Sequence, residues 1–312
     1  MALFVSLFLK LLPLYLMIGL GYVSGRVLQV GGQHLASLML YIITPVIVFS
    51  GVMSAPLSLS VLSLPFWVWG ISILISLIFL QLGKARFRDS RANILALAVG
   101  TGNTGYFGIP VALILFGDQV LGLYVLCMLG TTLHENSVGF YLAAKGRYSA
   151  RECLLRVFKL PSLYAFLIAA AINMSGGALP DLLQPFVQQM RGAYTVLGMM
   201  IIGMGVAGMR AREIGGVFTA LAFSGKFLLW PVLILIFCGI DSVLLHLFNQ
   251  PVYLCLFLVA ITPVAGNTVV IATLLNLYPR MVASTALLST FFALFYIPLM
   301  TGWVMPVFFP AK

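Results

Sequence analysis

The chain has 312 residues, of which 62% are hydrophobic and only 8% charged, with a mean hydropathy of +1.12 and a formal net charge of +10. This composition excludes a soluble globular domain. Apolar runs of roughly 20 residues, long enough to cross a bilayer, recur along the whole sequence, so residues 1–312 read as a single membrane domain.

Apolar windows bounded by charges, glycine and proline predict ten helical spans near residues 4–25, 34–53, 62–83, 92–116, 119–143, 161–175, 188–209, 215–240, 251–277 and 281–308. The first opens MALFVSLFLK, with its apolar run ahead of Lys10. That order is the reverse of a signal peptide and no small-residue cleavage site follows, so the span is expected to be retained. Thirteen basic residues fall in one set of loops: Arg26, then Lys84, Arg86, Arg88 and Arg91, then Lys145, Arg147, Arg151, Arg156 and Lys159, then Arg210 and Arg212, then Arg280. The other set holds Arg191 and Lys312. This asymmetry puts the basic loops in the cytoplasm and both termini outside. Charge therefore follows topology, and with no basic patch interleaved with aromatics a nucleic-acid partner is not expected.

The longest cytoplasmic connection, KGRYSARECLLRVFKLP at 145–161, has the character of an amphipathic segment on the membrane surface and falls at the midpoint of the chain. It divides the sequence into a five-helix repeat over 1–144, a connector over 145–160 and a second five-helix repeat over 161–312. An odd number of spans per half gives the halves opposite orientations, an arrangement found in transporters. Cys127, Cys238 and Cys255 lie in apolar spans and Cys153 in the basic connector. With no CxxC among them, free thiols without metal or redox duty are expected.

Two spans interrupt themselves. VGTGNTGYFGIP at 99–110 sets Gly102, Asn103, Thr104, Gly105 and Pro110 inside the fourth, and ITPVAGNTVVIATLLN at 261–276 sets Pro263, Gly266, Asn267 and Thr268 inside the ninth. The Gly-Asn-Thr triplets lie 164 residues apart in corresponding spans, although Pro110 follows its triplet and Pro263 precedes its own. Backbone freed at bilayer depth survives only if buried in protein or lining a wet cavity, so paired interruptions point to a binding site. In this topology both half-helices after the breaks begin near the midplane with their positive dipole ends there, which favours an anion. Simple kinks at close helix contacts are the competing account. Likewise Asn103, Thr104, Asn267 and Thr268 serve either as polar walls of a site or as helix-to-helix glue.

Three ionisable residues within spans carry candidate chemistry. Lys226 lies about 11 residues into its span, too deep for easy snorkelling, and a central ammonium costs roughly 2.5 to 3.5 kcal/mol on insertion scales. It reads as a partner for a substrate carboxylate or as half of a structural ion pair. Glu135 in TTLHENSVG is the natural partner for a proton or for Lys226, and His134 beside it titrates near neutrality. Both are candidates for proton coupling, against a static buried pair. An intramembrane zinc enzyme is disfavoured because HExxH fails at Val138. A passive channel or a sensor is the other alternative, and a paired-break repeat suits alternating access better.

In order and spacing, GYVSGR, GNTGYFGIPVALILFG, GKFLLWPVL, TPVAGNTVVIATLLN and STALLSTFFALFYIPL resemble the auxin efflux carrier (PIN-like) family in its short bacterial, malonate- or malate-permease-like form. The resemblance covers essentially the whole chain. It implies an all-α integral membrane protein of ten transmembrane helices in an inverted 5+5 repeat, with broken helices 4 and 9 crossing at their prolines. It implies a secondary carrier of small organic anions, a fold shared with bile acid/sodium symporters, and a bacterial inner-membrane location. No cofactor is implied, coupling to H⁺ or Na⁺ is open, and so is a homodimer. Asn136 matches a position where relatives carry Asn, and the Lys-x4-Pro spacing at Lys226 fits a built-in cation in place of a coupling ion.

Overall fold

The computed structural model describes residues 2–144, 148–207 and 215–308, and every regular element within them is a helix. In chain order these are α1 (Ala2–Arg26), α2 (Gly32–Ser54), α3 (Leu59–Arg86), α4 (Arg91–Gly100), α5 (Ile109–Phe116), α6 (Leu121–Asn136) and α7 (Val138–Ala144). The second half adds α8 (Ala150–Val157), α9 (Pro161–Met174), α10 (Gln184–Ala207), α11 (Gly216–Leu245), α12 (Gln250–Ala260), α13 (Gly266–Leu274) and α14 (Pro279–Phe308). Seven segments among the described residues are long and apolar enough to cross a membrane alone: α1, α2, α3, the α4–α5 pair, α10, α11 and α14.

The three other predicted spans fall short for physical reasons. The predicted fifth span is cut at Ser137, which separates α6 from α7; the sixth is the 14-residue α9, bent by 57° from α8; the ninth is split between α12 and α13. Residues 208–209 of the predicted seventh span lie outside the described residues.

Proline shapes the longer helices by a recurring device. A ring without an N–H clashes with the carbonyl four residues back, and a turn widened to i→i+5 relieves that clash. Widened π-turns cover Met39–Ile43, Thr104–Gly108 and Gly225–Leu229. Each is followed two residues later by a proline, Pro45, Pro110 and Pro231 respectively.

The interrupted fourth span is also the most enclosed. Of its hydrophobic window 67% is buried, against 17% for α1, so its exposed backbone is surrounded by protein. α4 packs on α3 and α7, while α12 packs on α6 and α11. At the periphery α1 runs along α10 and α9 runs along α2.

Loops predicted to share a side meet. Arg91 pairs with Asp89 at 2.9 Å and covers the rings of Phe87 and Tyr278, joining the turn before α4 to the turn before α14. The Arg91 guanidinium holds the Asp89 carboxyl below its ordinary range. On the other set of loops, Arg191 pairs with Asp118 at 3.1 Å, just past the positive-φ turn at Gly117. The connector helix α8 opens on a capping box between Ser149 and Glu152. It turns Cys153 and Val157 inward and Leu154, Leu155 and Phe158 outward, with Arg156 stacked 3.8 Å from the Phe140 ring centroid.

The α1–α10 contact is backbone against backbone. A Cβ on Gly21 would strike the Met200 carbonyl, and one on Gly203 the Ile18 carbonyl. Gly203→Ala is therefore expected to cost about 1–3 kcal/mol, read as a lowered midpoint in thermal unfolding of the detergent-solubilised protein.

Candidate functional site

Chain breaks at Thr101–Asn103 and Ile261–Ala265 bring two unwound segments together, and the backbone itself makes the crossing: the Asn103 N–H donates to the Pro263 carbonyl at 2.8 Å. Side chains complete the knot. Thr101 Oγ1 donates to the Leu97 carbonyl at 2.9 Å, so the Thr268 hydroxyl donates to Thr101 Oγ1 at 3.1 Å. By the same logic Thr131 Oγ1 is committed to the Met128 carbonyl, and the Thr104 hydroxyl donates to it at 2.9 Å. Val264 N–H donates to Ser289 Oγ, Tyr124 O–H to the Thr104 carbonyl and Trp230 Nε1–H to the Val99 carbonyl. Several of the backbone groups released by the breaks are thus satisfied by neighbouring segments, as bilayer depth requires.

Two cavities adjoin the crossing. The larger, about 840 Å³, runs from Asn103, Val264, Gly266 and Asn267 out to Gly32, Gln33 and Arg280 at the ends of α2 and α14. Among the described residues Arg280 is its only charged lining group. The smaller, about 100 Å³, lies between Gly102–Tyr106, Thr131, Glu135, Asn136, Tyr194 and Gly266–Asn267. Asn103, Tyr106, Gly266 and Asn267 belong to both. Two helix starts face this space. Asn103 Oδ1 accepts from the Phe107 N–H to cap the first, whereas no side chain caps α13 at Ala265, leaving a start open to an anion.

Glu135 is buried in the smaller cavity, where its Oε1 accepts from Asn267 Nδ2 at 3.0 Å. Lys226 is buried elsewhere. Its Nζ lies behind the crossing, 4.9 Å from the Trp230 ring centroid and 2.9 Å from where a Cβ on Gly102 would stand. Of the alternatives for these two residues, the Lys226–Glu135 ion pair is not formed: no ion pair within 4.0 Å joins them. His134 also leaves the site, because successive helix residues point to different faces. Its Nε2 meets Ser76 Oγ at 2.9 Å, Ser76 in turn donates to the Ala96 carbonyl, and the ring packs against Gly100 and Gly139. Nδ1 has no hydrogen-bond partner among the described residues.

Of the residues singled out from sequence, Asn103, Thr104, Gly105, Glu135, Asn136 and Asn267 line a cavity. Asn136 turns its amide back to the Thr132 carbonyl. Pro263 and Thr268 belong to the crossing and line neither cavity. Pro110 corrects the expectation that both spans cross at proline: it sits in the first turn of α5, seven residues past Asn103, and its part is the widened turn before it. Tyr106, Tyr194 and Arg280 were missed. Tyr106 lies inside the quoted motif, whereas Arg280 counted only toward sidedness.

A comparison with family models matches residues 6–146 to the family described as membrane transport protein. The match agrees with the resemblance to auxin efflux carriers drawn from the motifs. An uncharacterized transporter of Methanocaldococcus jannaschii is 25% identical over 297 residues, spanning 91% of this chain and 94% of that one. The similarity thus extends across both halves of the chain.

Gly102 is a tight point of the crossing, since a Cβ there would lie 2.5 Å from Thr262 Oγ1 as well as against Lys226. Gly102→Ala is expected to lower stability by about 1–3 kcal/mol, measured by thermal unfolding, with Gly70→Ala, where a Cβ meets open space, as the neutral comparison.

Proposed function

We propose that the protein is a secondary carrier for a small organic anion, working by alternating access around the crossing of the broken fourth and ninth spans. The observation that carries this reading is the larger cavity. It ends on unwound backbone, an uncapped helix start and two asparagine amides, and Arg280 is its only charged lining group among the described residues. A carboxylate finds there N–H donors and a favourable dipole. Lys226, fixed behind the crossing, adds a positive charge that need not touch the cargo.

Pairing at the periphery supports the inverted repeat. The first span packs along the seventh as the sixth packs along the second, which is the exchange that a two-fold axis relating spans 1–5 to 6–10 requires. With the basic loops cytoplasmic, the larger cavity extends toward the cytoplasm, since Gly32, Gln33 and Arg280 flank those loops. This is an inward-facing carrier. Location in a bacterial inner membrane and assembly as a homodimer are part of the same proposal by family likeness.

The reading predicts that in proteoliposomes a carboxylate on the trans side accelerates exchange of labelled carboxylate. Lys226→Ala and Asn103→Ala should each reduce that flux to background while the purified variants keep a monodisperse profile and helical circular dichroism. Near-normal flux in both variants would remove the crossing from the transport path.

A further inference from the structure

We propose that Glu135 takes up a proton when an anion enters the crossing, so that cargo and proton move together as a symport; the inference rests on the anion-carrier reading above. The observation behind it is that one amide is shared. Asn267 Nδ2 donates to Glu135 Oε1 at 3.0 Å, and Asn267 lines both cavities, so the group best placed to greet an incoming carboxylate is already engaged by a resident one.

Glu135 has no cation to neutralise it within 4.0 Å among the described residues. The groups around it have been placed element by element. On its own helix His134 turns to Ser76; on the widened turn and on α10 the phenols of Tyr106 and Tyr194 line the same small cavity; on α8 Arg156 is stacked over Phe140; on α11 Lys226 stands beside Trp230. None of these supplies a charge partner in contact with the carboxylate. Two carboxylates brought to one buried site cannot both stay ionised, and one holds a proton.

The sequence of events balances simply. With Glu135 ionised, its carboxylate keeps the Asn267 amide and repels an anion at the α13 start. A proton from cavity water converts it to the neutral acid, the repulsion vanishes, and the amide turns to the cargo. After the cavity opens on the other side the anion leaves, Glu135 returns its proton to water there, and the amide goes back to Oε1. Each cycle carries one anion and one proton in the same direction.

The test uses the full chain in lipid nanodiscs, titrated with malonate, succinate and phenylacetate in weakly buffered solution carrying a pH indicator. Wild type should take up about one proton per carboxylate bound, and affinity should fall about tenfold per pH unit over the range where the carboxyl titrates. Glu135→Gln should bind without proton uptake and without that slope, and Glu135→Asp should restore both. In the infrared spectrum, carboxylate addition should raise a protonated-carboxyl band in wild type that Glu135→Gln lacks. Carboxylate binding by wild type with no proton uptake, or proton uptake persisting in Glu135→Gln, overturns the inference while leaving the carrier reading intact. Failure of every carboxylate to bind wild type overturns the carrier reading itself, and the inference with it.

Discussion

Peptide groups cannot be left bare in hydrocarbon, and the architecture of this protein follows from how it meets that constraint where two spans come unwound. The solution is reciprocal. Each break supplies what the other lacks, an amide of Asn103 for a carbonyl of Pro263, and the threonine hydroxyls and indole of the surrounding helices take up the remainder. Because the breaks satisfy each other only while juxtaposed, the crossing fixes where the fourth and ninth spans lie. The enclosed position of the fourth span follows, since only protein on all sides could provide those partners.

From that arrangement the functional chemistry emerges with little further apparatus. Helix starts that would be ordinary at a membrane surface become, at the crossing, sources of partial positive charge next to an enclosed volume. Lys226 is buried behind the crossing, while Glu135 lies within the smaller cavity. Two ionisable groups thus stand on separate sides of one crossing, without a direct bond between them.

How much of this the sequence disclosed depends on the kind of interaction. Breaks near Asn103 and Asn267 were legible because glycine, asparagine and proline stand out within apolar spans, and their even spacing revealed correspondence. Burial of Lys226 was legible from its depth alone. The partner of a buried ionisable group was not, since hydropathy carries no information about which face of a helix meets which neighbour; hence the sequence left Glu135 between a proton and Lys226, and its partner in the structure is Asn267. His134 misled for the same reason, one residue being enough to turn a side chain toward another helix. The cut at Ser137 carries no glycine or proline to announce it. Its hydroxyl instead ties α6 to the indole of Trp69, a link that only the three-dimensional packing of α3 reveals.

Widened turns ahead of Pro45, Pro110 and Pro231 place a surplus residue in the second, fourth and eighth spans. Such a surplus can be passed along a helix: a shift by one position re-aims the residue it passes over, leaves the helix on either side in place, and preserves the count of backbone bonds. The fourth and eighth spans carry theirs at Tyr106 and Lys226, beside the crossing. Side chains there can be re-aimed within intact helices, with no need for any of them to melt.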